Sequence, residues 1–495
     1  MRPRAQILFI GIDAGEKSLL LEWAAEGVLP SVKRLLQRQA WATVLNPAGL
    51  YSGSVWPSFY TARHPGHHGR YSSGRFCPST YESRPFAPHA VRGEPLWDAL
   101  SRQGKRVAVI DVPKSYPSEN LNGVQLVDWG SHAPQLDFCT SPPELAAEIV
   151  ERYGRHPLSR REVPRRTIAE CLEARNGLLA GVRTKAEFCS HFLEQGGWDL
   201  FITVFGESHC IGHQCWHLHD PTHPAWCKDV VQAVGDPVRD VYVAIDEAIG
   251  DLVERAGPEA TTFLYANNGM TARTSGAHLL DDVLRAIERA DISTARRAVG
   301  TALSWSASRL PNWGRTRLRP LWQPMRRTVG EALVAAENPQ RRCFQVFTNE
   351  STGGIRINVA GRESQGRVQP GAEYEALCDS LTRDLLDLVN ADTGKPAVCD
   401  VIRPRALYPG DAVESLPDLI VDWCREAPIG GVRSAKIGTI RSEYRGPRSG
   451  DHTPDGLLIA AGPSIQHAQL ERTIGVTELA PILATLLGCS MPLGR

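Results

Sequence analysis

Short apolar runs rich in β-branched residues recur along this chain with helix-like stretches between them, and that alternation constrains its architecture most. Gln6–Ile12, Arg106–Val112, Leu200–Phe205 and Thr261–Tyr265 each read as a buried strand. Between them lie a helix from about Glu16, one opened by Gly93–Trp97, a mostly helical stretch from Ser141 to about Gln195, and an amphipathic stretch from Val241 to Ala256. Strands apolar on both faces that alternate with helices build a mainly parallel sheet covered on both sides. The class expected is therefore α/β. Later runs, Gly354–Val359, Pro417–Trp423 and Leu457–Ala460, read as further strands of the same core.

In α/β sheets ligands collect where strands end at their carboxyl edge. Asp13 stands at the end of the first run, as a cation ligand or as the cap of the helix that follows. Gly11 to Ser18 is not a P-loop, because Glu16 occupies the place of the Gly before the Lys and would repel phosphate. Leu200–Phe205 runs into Glu207–Asp220, where His209 and His213 are four apart and share one helical face. Such a pair is either solvated surface or a grip for a cation such as zinc. His217 continues that face, while His219 and His223 trail into a Pro-rich exit.

The composition narrows the partners. Lys+Arg and Asp+Glu number 55 each, so no net field favours nucleic acid or an anionic membrane. The basic segment at 155–166 reads as solvated surface. The 12 cysteines show no C-x-x-C pair and read as reduced thiols. No stretch approaches the roughly 20 apolar residues of a membrane span, and the apolar run after Met1–Arg4 reaches Asp13 too soon for a signal peptide. A soluble, cytoplasmic protein is expected, with a small-molecule substrate rather than a nucleic acid or a membrane. Residues 289–342 are rich in Arg and Trp and interrupt the alternation. The expected organisation is a core in two parts, 1–288 and 343–495, with 289–342 inserted as a cap or interaction surface.

Within Tyr51–Gly69, Ser52 and Ser54 precede a short helix-compatible piece, as a nucleophile near the positive helix end or as helix caps. No G-x-S-x-G elbow is present. Gly11–Gly15 after a strand, Ser52 followed by Trp56–Ala62, and Pro65–Gly69 together resemble the alkaline phosphatase superfamily, in its type I phosphodiesterase/nucleotide pyrophosphatase branch. The resemblance covers nearly the whole chain apart from the Arg-rich stretch.

That resemblance implies an alkaline-phosphatase-like fold and a nucleophile at Ser52, nine residues before Thr61, with Ala62 where the family has Gly. Ser54 takes the role if the register shifts by two. It implies a first metal site of His209, His213 and His452, although the family usually has Asp at the first position. Three imidazoles and an open position suit a catalytic zinc. The second site would hold Asp13 and Ser52, with Asn267 and Asn268 where the family has Asp and His. Uncharged amides hold a divalent ion weakly, so one tightly bound zinc is expected, and the Asn amides are alternatively donors to a substrate oxyanion. The activity implied is metal-dependent hydrolysis of phosphodiesters or related phosphoryl or sulfuryl esters. The alternative is an impaired member that binds an anion or a protein.

Overall fold

The computed structural model describes residues 5–37, 40–86, 91–130, 136–158, 163–291, 337–463, 465 and 472–491. Five parallel strands form the middle of a nine-stranded sheet, in the order Thr261–Ala266, Ala5–Ile12, Trp198–Phe205, Val107–Ile110, Gly123–Val127. In the first strand Gly11 pairs with Val204 on one side and Tyr265 on the other. The sheet is extended antiparallel by Cys139–Ser141 at one edge and by Gly456–Ala461 next to Thr261–Ala266. Beyond Gly456–Ala461 lie Ala40–Leu45 and Arg472–Gly475.

Alternation of side chains along each strand feeds two cores. Leu8, Ile10 and Ile12 pack on one face with residues from helices Lys17–Glu26, Pro30–Gln37, Ile168–Gln195, Glu207–His219 and Pro237–Ala256. Ile7 and Phe9 face the other way, against helices Tyr51–Thr61, Leu96–Arg102 and Leu479–Leu486. There Phe9 stacks on Phe59 with ring centres 4.9 Å apart. Each such buried side chain stabilises the fold by about 1.5–3 kcal/mol, so this double-sided burial anchors the strand ends that carry the site.

The runs at Gly354–Val359 and Pro417–Trp423 do form strands, yet not in the main sheet. Thr352–Ile357 and Leu419–Trp423 pair antiparallel, flanked by Cys343–Val346 and Val398–Ile402 in a four-stranded sheet. This sheet has its own apolar cluster with helices Leu280–Asp291 and Ala372–Leu386. An apolar run reports that a strand is buried, not which sheet it joins. Among the described residues the chain returns to the main sheet only at Gly456–Ala461.

Of the stretch expected as an insertion at 289–342, residues 292–336 lie outside the described residues. The expectation of reduced thiols fails at one pair. Cys399 and Cys424 are disulfide-bonded, their Cα atoms 5.0 Å apart, Cys399 on Val398–Ile402 and Cys424 just past the end of its antiparallel neighbour Leu419–Trp423. Their separation of 25 residues hides that adjacency from any C-x-x-C search. Among the described residues no helix is long and apolar enough to cross a membrane.

Candidate active site

The strand Trp198–Phe205 ends at Gly206, and helix Glu207–His219 starts at once, so its first turns stand at the carboxyl edge of the sheet. His209 and His213 are buried, one turn apart on that helix. The third histidine, His452, sits on Gly450–Thr453, which pairs antiparallel with Gly269–Ala272, Met270 opposite His452. A side chain at Gly450 would put its Cβ 2.4 Å from the Gly212 carbonyl oxygen. Only glycine lets strand and helix approach this closely, and that approach brings the three imidazoles together.

The Nε2 atom of His452 lies 3.1 Å from the Nε2 of His209 and 3.1 Å from that of His213. His213 Nδ1 donates to the Gly450 carbonyl at 2.7 Å, which fixes its tautomer and leaves the Nε2 lone pair facing the cluster. A proton on His452 Nε2 can be shared with only one of its two neighbours. A cation can serve all three. Nitrogens around a tetrahedral zinc at its usual 2.0–2.1 Å stand roughly 3.3 Å apart, close to the two 3.1 Å separations from His452. Among the described residues these three histidines are the group able to hold a metal, their ligand atoms within 4.8 Å of one another. His217, His219 and His223 stay outside it. His219 Nδ1 lies 2.7 Å from Asp236 Oδ2, and His223 Nε2 is 3.1 Å from the Ser449 carbonyl.

Asp13 stands beside this cluster. Its backbone N–H donates to Phe205 O and its carbonyl accepts from Ser208 Oγ at 2.6 Å, which ties it to the residue before His209. It does not cap the next helix, because the Glu16 carboxylate accepts the Ser18 N–H there. The other Glu16 carboxylate oxygen accepts the Met270 N–H at 2.9 Å and so holds the strand opposite His452. Asp13 Oδ1 accepts from Trp56 Nε1 at 2.8 Å and from Asn267 Nδ2 at 2.9 Å. Asn267 Oδ1 in turn accepts the Ala14 N–H at 2.7 Å. Its amide therefore clips Asp13 to the loop behind it. The Asn268 side chain is buried, and neither its Oδ1 nor its Nδ2 meets a protein partner.

Ser52 occupies the first turn of helix Tyr51–Thr61, whose cap position, Leu50, supplies no side-chain bond. A Cβ at Gly53 would fall 1.7 Å from the Tyr71 carbonyl oxygen, so this turn is pressed against the Tyr71–Ser72 backbone. Ser54 is fully buried and donates to the Leu50 carbonyl at 2.8 Å, whereas Ser52 is half-buried. Neither serine caps the helix.

Several residues at the site carried no sequence signal used above. Lys114 Nζ donates to the Ser52 and Gly53 carbonyls at 3.0 and 3.1 Å. Burial and then the neighbouring Arg70 charge pull its ammonium down to about 7, while Asp13 works the other way. Lys114 follows the carboxyl end of Val107–Ile110, so the strand-end rule points to it. Asn349, from a loop of the second sheet, places Nδ2 3.2 Å from Ser52 O and 3.4 Å from Ser52 Oγ. Nothing in its local sequence marks it. Beneath the histidine helix, buried Lys185 pairs with Asp111 at 2.8 Å and Glu207 at 3.3 Å. Burial opposes the Glu207 charge, but Lys185 and His156 outweigh it and hold that carboxyl below its usual range.

The fold aligns with that of phosphonoacetate hydrolase from Sinorhizobium meliloti 1021 in complex with phosphonoformate (TM-score 0.53, 14% identity, 98% of this chain and 96% of that one). It also aligns with murine ectonucleotide pyrophosphatase/phosphodiesterase 5 (TM-score 0.52, 10% identity, 99% and 97%). An inactive variant of that murine protein, in complex with AMP, aligns at TM-score 0.52 with 11% identity over 99% and 97%. No curated protein matches the sequence. A model of the type I phosphodiesterase/nucleotide pyrophosphatase family matches residues 7–422. With most of its length matched, the chain belongs to that family, within the alkaline phosphatase superfamily.

Proposed function

We propose that the protein is a metal-dependent hydrolase of phosphodiester or related phosphoryl or sulfuryl esters, with Ser52 as nucleophile and zinc on His209, His213 and His452. The observation that carries this reading is the convergence of three imidazole Nε2 atoms at the carboxyl edge of the sheet. A zinc held there supplies Lewis-acid charge for oxygens on the reacting centre. Ser52 Oγ attacks phosphorus or sulfur, the new O–P or O–S bond forms as the bond to the leaving oxygen breaks, and that oxygen takes up a proton. Water then attacks the same centre and Ser52 regains its proton. The half-buried position of Ser52 at a helix N-terminus supports it over Ser54, whose hydroxyl is committed to its own helix.

The second cation site fits poorly. Asp13 Oδ1 already accepts two N–H groups, and Asn267 spends its oxygen on Ala14. Asn268, buried without a protein partner, has donors to offer a substrate oxygen. The same Asn267 clip favours the second reading, an impaired member that binds an anion.

Metal analysis of the purified protein, with a panel of phosphodiester and sulfate-ester substrates, separates the two. The enzyme reading expects about one zinc per chain, lost in His213→Ala, and turnover lost in Ser52→Ala with the metal retained. A metal-free protein, or full turnover in Ser52→Ala, sinks it.

A further inference from the structure

Two residues that reach Ser52, and the neighbour of one of them, carry a backbone conformation that L side chains rarely adopt. Lys114 has φ +60°, Asn349 +66° and Glu350 +69°. Left-handed backbone is costly outside glycine and persists where surroundings impose it, often at functional sites. Lys114 and Asn349 come from different sheets, and both reach Ser52.

The turn at Asn349 is pinned from several sides. Arg448 Nη1 donates to the Asn349 carbonyl at 2.8 Å, Ser275 Oγ to the Glu350 carbonyl at 2.7 Å, and Tyr444 OH to Glu350 Oε2 at 2.7 Å. The Asn349 amide is also oriented. Its Oδ1 accepts the Ser73 N–H at 3.3 Å, and a backbone N–H can meet only the oxygen end of the amide. The nitrogen end must then face Ser52. A turn pinned in this conformation, with its amide orientation dictated, holds one N–H donor toward the reacting hydroxyl.

We propose that Asn349 is a catalytic residue that donates from Nδ2 to Ser52 Oγ in the resting protein and to a non-bridging oxygen of the phosphoryl or sulfuryl group under attack. This rests on the reading of Ser52 as nucleophile. Negative charge grows on the non-bridging oxygens as Ser52 adds, and a preorganised donor aimed there acts most strongly at the transition state. With Asp13 and Asn267 locked to each other, a neutral donor from the second sheet does part of what a second cation would do. Lys114, which shares the Ser52 carbonyl with Asn349, is a positioning residue that anchors the Ser52 and Gly53 carbonyls.

The test uses the full chain and two variants, Asn349→Ala and Asn349→Gly. Glycine accepts the left-handed backbone freely, so Asn349→Gly removes the amide without adding strain. Both should lower kcat/KM by about 10²–10³-fold on an aryl phosphodiester with bound metal little changed. Asn349→Gly loses the amide's hydrogen bonds but relaxes the left-handed backbone, so its unfolding midpoint should stay near that of the wild type, and a loss of kcat/KM there is not a loss of fold. Inorganic phosphate binding, measured by calorimetry, should weaken at least tenfold in both variants, and this readout needs no turnover.

Wild-type kcat/KM and phosphate affinity in Asn349→Gly would overturn the inference while an inactive Ser52→Ala left the nucleophile standing. Full activity in Ser52→Ala would overturn both. Failure of the wild type to bind phosphate would also overturn it.

Discussion

Replacing Asn267 by aspartate tests whether the Asp13–Asn267 clip is what stands in the second cation site. In the structure Asn267 Nδ2 lies 2.9 Å from Asp13 Oδ1, both residues buried. Asn267→Asp keeps the shape and turns a donor into a second carboxylate. If both stay ionised and relax to 4 Å, repulsion at an effective dielectric of 20 is about 4 kcal/mol. If one protonates instead, holding a carboxyl of ordinary pKa neutral at pH 7 costs roughly 1.36 kcal/mol for each of about three units, again about 4 kcal/mol. The lost hydrogen bond adds about 1 kcal/mol. With an unfolding entropy near 2.1 cal/mol/K per residue, a 495-residue chain has about 1 kcal/mol/K, so the midpoint should fall about 4–5 °C. The raised carboxyl pKa sets the sign with pH. The variant's deficit is full above that pKa and fades as pH falls, to about 2–3 kcal/mol at pH 5. Scanning calorimetry in chelator at pH 7 and pH 5 measures both, and added zinc should restore the pH 7 midpoint by bridging the pair. An unchanged midpoint in chelator, or a deficit that grows as pH falls, would refute the reasoning.

Ser54→Ala loses one buried hydrogen bond to Leu50 and should cost about 1 kcal/mol in urea unfolding while turnover holds. Gly450→Ala forces a Cβ to 2.4 Å from Gly212 O and should lower metal content by parting helix and strand, although no ligand is altered; metal analysis reads this. Lys185→Met leaves Asp111 and Glu207 buried without their cation, an expected loss of about 3–5 kcal/mol at pH 7. In the wild type the Glu207 contribution is present above its unfolded pKa and lost as pH falls through its depressed folded value. In Lys185→Met the deficit should instead shrink in acid, and unfolding across pH shows which way it moves.

The sequence carries the main sheet plainly because its parallel strands are buried on both faces and read as unbroken apolar runs, as at Leu200–Phe205. The His209/His213 pair is equally legible, since helical spacing alone puts both on one face. His452 is not, because a lone histidine after a glycine gains meaning only when Gly450 presses its strand against Gly212. Asn349 and the Cys399–Cys424 bond lie further out of reach. Both depend on which strands of the second sheet become neighbours, and periodicity says nothing of partners. The Asn267 clip sits between these cases: the substitution is visible in the sequence, whereas the hydrogen bonds that occupy the amide are visible only in space.

The late return of Gly456–Ala461 to the main sheet has a consequence during synthesis. Thr261–Ala266 takes this strand along one side, and Ala40–Leu45 depends on it for its link to the five central strands. At about 5–20 residues per second, the ribosome needs roughly 10–40 s to travel from residue 266 to 461. For that time the nascent chain holds an open strand edge, the kind of surface that invites pairing with another chain. His452 emerges four residues before the closing strand begins, so the third imidazole arrives as the edge is sealed. Chains released early would then keep both an unsealed edge and a site with only two of its three imidazoles.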